Sequence, residues 1–220
     1  MAIFIPRLSM GMIYSMSYYT TWNAYWYAYR MPNCVAYTFG RFNELAHVTG
    51  LNYNWPTGDG YQWYTQAPGK GLTTGNNPQL GACACWYYEK RDQYGNLVLD
   101  ANGNPIPTGH TAIVESITYD NNNNWIGLTT SNSAWYRSDD NDPYSDAGTP
   151  VDAFPYFYTR NYTPSTIGNV SGHPEAYFQG FIYHPNYPPN TPPASFSDLI
   201  TMITGNDPGK RITILKRRRK

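Results

Sequence analysis

The 220-residue chain is 41% hydrophobic and 14% charged, enough apolar material for a true core and too little charge for a disordered polymer. Its net charge of zero hides a split: Lys210, Arg211, Lys216, Arg217, Arg218, Arg219 and Lys220 leave residues 1–209 with 8 basic and 15 acidic groups, a formal −7. No apolar run reaches the ~18 residues of a spanning helix, and the N-terminus lacks the basic, apolar and small-residue order of a secretory leader, so the reading is a soluble, unprocessed chain with no membrane partner.

Aromatic residues make up 17% of the chain, with 22 tyrosines, which favours a β-rich domain and rings available for stacking on a ligand. Residues 1–30 form an aromatic arm whose "WNAYWYAYR" fits helix or strand alike. From 31 to 185 the pattern is that of one compact unit. Asn33 is placed to cap a helix that starts at Cys34, with apolar or aromatic residues at 35, 39, 42, 45 and 46 and an end near Gly50. "LGACACWYY" (80–88) reads as a buried strand and "GNLVLDANGNPIP" (95–107) as a hairpin turning at Asn102-Gly103. "HTAIVESITYD" (110–120) alternates as a strand, and "WIGLTTSNSAW" (125–135) is its partner across an Asn-rich turn. "FPYFYTR" and "FQGFIYHP" add two aromatic strands, and no internal repeat stands out. A helix followed by an antiparallel sheet predicts an α+β fold. Beyond 185 come a Pro-rich linker, a short amphipathic piece capped by Ser195 or Ser197 and stopped by Gly205, and the basic tail. Such a tail is either a solvated end or a docking element for a polyanion or acidic subunit.

Cys34 carries the chemical question. A thiol at a helix N-terminus is favoured as thiolate by the dipole and the free N–H groups, more so beside a histidine. Alternation places His110, Ala112 and Val114 on one strand face and Thr111, Ile113 and Glu115 on the other, so His110 reads as a polar ring at the mouth of an apolar face packed on the helix. Asn132, on the next strand, is placed to orient the imidazole as the third member of a Cys-His-Asn arrangement. Against this stands the plainer reading of an inert buried cysteine and a structural histidine.

Three ordered motifs tip the balance. "NCVAYTFGRFNEL", "PQLGACACW" and "GHTAIVESI" resemble the CHAP domain (cysteine, histidine-dependent amidohydrolase/peptidase), and the strands that follow are similar to those of bacteriophage members. The resemblance covers about residues 31–185 and implies a papain-like fold that hydrolyses an amide bond of peptidoglycan, with Cys34 as nucleophile and His110 as general base. Asn132 stands where many members have Glu, and Glu115 matches another frequent family position but lies on the face away from His110. Tyr37, Trp63, Trp86 and Trp135 are the candidates to stack on substrate, with core packing as their plainer role.

No cofactor or metal is expected. Asp139, Asp140, Asp142 and Asp146 lack the glycine and glutamate of a calcium loop, and Cys83 and Cys85 read as core residues without the geometry to bridge. His47 rides the nucleophile helix ~19 Å from Cys34, and His173 and His184 receive no role. The extra segments, 1–30 and 205–220, suit docking on phage virion subunits, so the expectation is a virion-associated lysin acting on the bacterial wall. A free endolysin and a structural tail protein that keeps an inactive scaffold are the alternatives.

Overall fold

In the computed structural model the described residues are 4–8, 16–26, 33–51, 54–92, 94–133, 158–168 and 176–187. After a 3-10 turn at Met16–Tyr19 come helices α1 (Cys34–Leu45) and α2 (Gly60–Gln66). Strands β1 (Thr74–Gly75), β2 (Cys83–Glu89), β3 (Pro107–Tyr119), β4 (Trp125–Asn132), β5 (Tyr158–Tyr162) and β6 (Tyr177–Ile182) follow. They form one sheet in the order β1-β6-β2-β3-β4-β5, with each neighbouring pair antiparallel. This is the α+β arrangement that the sequence predicts.

α1 begins where the sequence places it. Asn33 is extended, and its Oδ1 accepts the Ala36 N–H at 3.0 Å, so one of the orphan donors of the first turn is satisfied. The helix buries Val35, Ala36, Tyr37, Phe39, Phe42 and Leu45 against one face of the sheet, where Cys83, Cys85, Ile113 and Ile182 belong to the same cluster. A second cluster fills the opposite face with Ala84, Trp86, Ala112, Val114, Leu128, Tyr162 and Phe181. The strands are thus buried on both sides, which is why "ACACW" is continuously apolar instead of alternating.

The sequence sets residues 1–30 apart as an arm. Within its described parts, Phe4, Arg7, Tyr19, Asn23 and Tyr25 are buried. Asn23 Nδ2 donates to the Ala36 carbonyl at 2.7 Å, and Tyr25 donates its hydroxyl to the Gly58 carbonyl at 2.8 Å. Tyr19 lies on α1 so closely that a Cβ at Gly40 would sit 2.4 Å from its ring, so the glycine of the Gly40-Arg41 pair is required by contact. At the other end, Tyr187 is also core, stacked edge-on against Phe4 at 5.2 Å. Packing therefore crosses both boundaries that composition suggests.

Charged residues fill the space between this N-terminal segment, α1 and β3. Arg41 binds Glu115 through Nε–H to Oε1 at 3.1 Å and NH2 to Oε2 at 3.0 Å, and Glu44 at 2.7 Å. Arg7 pairs with Glu44 and Tyr19, its backbone N–H donates to Glu115 at 2.7 Å, and Ser131 donates to Glu115 at 2.6 Å. All of these residues are buried, so each charge keeps a counter-charge and several hydrogen bonds in place of water.

Between β2 and β3 the chain makes a hairpin extension with bridges Arg91↔Leu97 and Leu99↔Pro105. Its turn at Asp100–Asn104 contains the expected Asn102-Gly103. The same wiring recurs three times, at Asp92, Asp100 and Asp120. Each Asp Oδ1 accepts the N–H groups two and four residues on, at 2.8 to 2.9 Å. The fourth residue of each turn has positive φ: Gly95 at 84°, Gly103 at 82° and Asn123 at 62°. Each turn is closed by the N–H of that left-handed residue donating to the Asp carbonyl, a short structural recurrence that a search for long repeats overlooks.

Candidate active site

His110 and Asn132 meet on the sheet face opposite α1. The registers Trp86↔His110 and Val114↔Thr130 put His110, Ala112, Val114, Thr130 and Asn132 on one side, since paired residues share a face. The His110 ring lies 5.7 Å from that of Trp86, and its Nε2 is 3.0 Å from Asn132 Oδ1. The expectation that the His110 face packs on the helix is therefore corrected. α1 covers the Thr111, Ile113 and Glu115 face, where Thr38 hydrogen-bonds Thr111 at 3.0 Å.

The direction of the His110–Asn132 bond follows from what lies behind it. Asn132 Nδ2 is 3.2 Å from the Thr130 carbonyl and 2.9 Å from Thr130 Oγ1. A carbonyl only accepts, so the amide nitrogen must face Thr130 and the oxygen must face the ring. His110 Nε2 then carries the hydrogen, and Nδ1 is left with the lone pair that a base needs.

Cys34 occupies the first position of α1 and is partly exposed. Its sulfur is favoured as thiolate by the N–H groups of Thr111 and Val35 and by the Thr111 hydroxyl. The thiol therefore lies beside Thr111, one residue along β3 from His110. The expected lowering of its pKa is not the balance found. Burial pushes the thiol up to about 11, and the Asp59 carboxylate pushes the same way, outweighing the helix-end donors. Both effects favour the protonated form of the Cys34 side chain.

Glu115 is held by Arg41, Arg7 and Ser131 on the α1 face, so its carboxylate serves the buried ion network. Tyr37, Trp63 and Trp86, candidates for stacking on substrate, are each 0% exposed, and that role is corrected to core packing. Trp63 donates to Tyr25 at 2.9 Å, and Trp86 donates to the Ile167 carbonyl, so their polar edges are satisfied inside. Trp135, His173, the Asp139–Asp146 cluster and the basic tail lie outside the described residues.

Cys83 and Cys85 are buried free thiols, their sulfurs hydrogen-bonded to each other at 3.5 Å. Among the described residues no group of three His, Cys, Asp or Glu side chains is arranged to hold a metal, and no helix is long and apolar enough to cross a membrane. His184 is buried, with Nε2 3.1 Å from the Phe42 carbonyl and Nδ1 accepting the Asn186 N–H at 3.2 Å, a structural part that the sequence does not signal. Asp59, likewise unsignalled, is the N-cap residue of α2.

A search of curated proteins gives no match. A solved structure of an N-acetylmuramoyl-L-alanine amidase from Staphylococcus aureus is similar over 67% of this chain and 30% of its own, with 16% identity and a TM-score of 0.34. The family model for the CHAP domain matches residues 14–133. That span is more than half of the chain and takes in Cys34, His110 and Asn132, so the protein belongs to the CHAP domain family.

Proposed function

We propose that this protein hydrolyses an amide bond of bacterial peptidoglycan, with Cys34 as nucleophile, His110 as acid and base, and Asn132 as the group that orients the imidazole. The observation that carries the reading is the fixed amide of Asn132, which leaves His110 Nδ1 as the basic nitrogen next to the strand residue that the Cys34 thiol contacts. Family membership supplies the reaction class.

Because the thiol rests protonated, its proton passes to His110 Nδ1 as sulfur attacks the amide carbonyl. The oxyanion is met by the Cys34 N–H at the head of α1, whose first N–H groups have no partner within the helix. The imidazolium then protonates the leaving amine as the C–N bond breaks. His110 next takes a proton from water, which attacks the thioester, and the thiol is restored with release of the acid.

The bond cleaved joins muramic acid to the stem peptide or lies within the peptide, and the setting we favour is a phage virion. The likeness of the later strands to phage members and the basic run at 216–220 support that setting. The test is digestion of purified walls from several Gram-positive species by wild type and by Cys34→Ala, with fragments identified by mass spectrometry. Wild type releases fragments whose new termini name the bond, and the variant releases none. If neither digests any wall while both remain folded, the scaffold reading replaces this one. Recovery of the protein from purified virions tests the setting.

A further inference from the structure

Behind the His110–Asn132 pair the hydrogen bonds continue into the sheet. Asn132 offers two amide hydrogens, and Thr130 supplies an acceptor for each, its carbonyl oxygen at 3.2 Å and its hydroxyl Oγ1 at 2.9 Å. A hydroxyl both donates and accepts, so on its own it fixes no direction. Here its hydrogen is committed to the Arg160 carbonyl at 3.4 Å, directly across the ladder where Thr130 of β4 pairs with Arg160 of β5. A lone pair of Oγ1 therefore faces Asn132. The donors run one way, from His110 Nε2–H to Asn132 Oδ1, from Asn132 Nδ2–H to Thr130 Oγ1, and from Thr130 Oγ1–H to a backbone carbonyl that only accepts. Thr130 and Asn132 are 0% exposed, and the Trp86 ring lies 5.7 Å from the imidazole, so the amide has no bulk water to turn to when a partner is lost.

We infer that Thr130 is a positioning residue for the reaction, whose hydroxyl, anchored on β5, holds the Asn132 amide and through it the Nε2–H tautomer of His110. The inference deepens the proposed hydrolysis and rests on His110 being its base. The Thr130 carbonyl disfavours a reversed amide, because one carbonyl set against another finds no hydrogen. The hydroxyl makes the shorter of the two bonds, and without it one amide hydrogen is buried unpaired and the amide pivots on the longer bond alone. A turned amide no longer aims Oδ1 at Nε2. The imidazole then mixes in the tautomer with its hydrogen on Nδ1, the nitrogen that has to receive the Cys34 proton. The neighbouring hydroxyls are committed elsewhere, since Thr129 donates to Asn161 at 2.8 Å and Ser131 donates to Glu115 at 2.6 Å.

Thr130→Val separates the hydroxyl from the shape, because valine matches threonine in outline and carries no polar atom. The full chain with isotopically labelled histidine is followed by proton–nitrogen NMR at about pH 9, where an ordinary imidazole is neutral, and the signals lost in His110→Gln assign the ring. In wild type Nε2 gives a protonated, pyrrole-type signal and Nδ1 an unprotonated, pyridine-type one. In Thr130→Val the two are expected to move toward each other as the Nδ1–H form enters, and wall digestion slows roughly three- to tenfold, the worth of one hydrogen bond. Thr130→Ser keeps the hydroxyl and restores both. A packing role alone would slow digestion and leave the ring signals in place. Should valine prevent folding, Thr130→Cys takes over, because a thiol still donates toward Arg160 and accepts only weakly. Ring signals at their wild-type positions in folded Thr130→Val, or in Thr130→Cys where valine does not fold, overturn the inference, and the hydrolase reading stands if walls are still cut. The spectrum needs no cell wall, so moved signals in a protein that digests nothing sink the hydrolase reading and leave Thr130 as the residue that holds the imidazole.

Discussion

Asn132 is the residue whose surroundings say most about the chemistry. A carboxylate in its place would stabilise the imidazolium directly, whereas the amide fixes the tautomer and adds no charge. Asn132→Asp is therefore expected to raise the His110 pKa and move the acid limb of the activity profile up by about one pH unit, read from kcat/KM against pH. His184 offers a stability counterpart. Burial lowers its pKa from 6.5 to about 3, opposed by its bond to the Phe42 carbonyl. With the folded value below the unfolded one, its contribution is complete above pH 6.5 and is lost as pH falls toward about 3. His184→Gln lacks this titration, so its melting temperature is expected to decline less steeply than that of wild type over that window. The start of α1 at Cys34 and the strands that carry His110 and Asn132 were legible because helix caps and strand alternation are local signals. The upward push on the thiol was not, because the burial behind it depends on how β3 lies under α1. Trp63 and Trp86 misled for a related reason, since a ring suited to stacking on sugar is equally suited to a core.

At the scale of elements, the Gly40-Arg41 and Val114-Glu115 pairs were legible as family marks, and their purpose appears only with the register. Arg41 on α1 and Glu115 on β3 join helix to sheet, Arg7 brings in the N-terminal segment, and Ser131 brings in β4. Glu115→Ala leaves Arg41 buried and half-compensated, and its expected cost is about 3–5 kcal/mol in urea unfolding. Loss of a few tenths of a kcal/mol would mean that water reaches the network. No pattern in the sequence announces this join, because its partners lie 74 and 108 residues apart and a polar residue at a core position reads as solvent-facing until its partner is known.

Across the whole molecule, the division into arm, domain and tail followed composition, and composition does not report packing. Phe4, Arg7, Tyr19, Asn23 and Tyr25 are buried, so removal of residues 1–26 is expected to abolish the cooperative thermal transition, measured by circular dichroism. A truncated chain that melts like wild type would restore the arm as a separate part. The order of strands in the sheet was likewise beyond the sequence, since β6 inserts between β1 and β2 and nothing local dictates that crossover. The hairpin extension at 91–105 has a practical consequence. It departs at Lys90 and returns at Ile106, where the Lys90 N–H meets the Ile106 carbonyl at 2.8 Å, and the β2–β3 ladder from Glu89↔Pro107 onward forms without it. The tip at Asp100–Asn104 is exposed, which makes it a natural port for grafting an epitope or affinity tag, a payload carried outward while the strand that presents His110 stays in register.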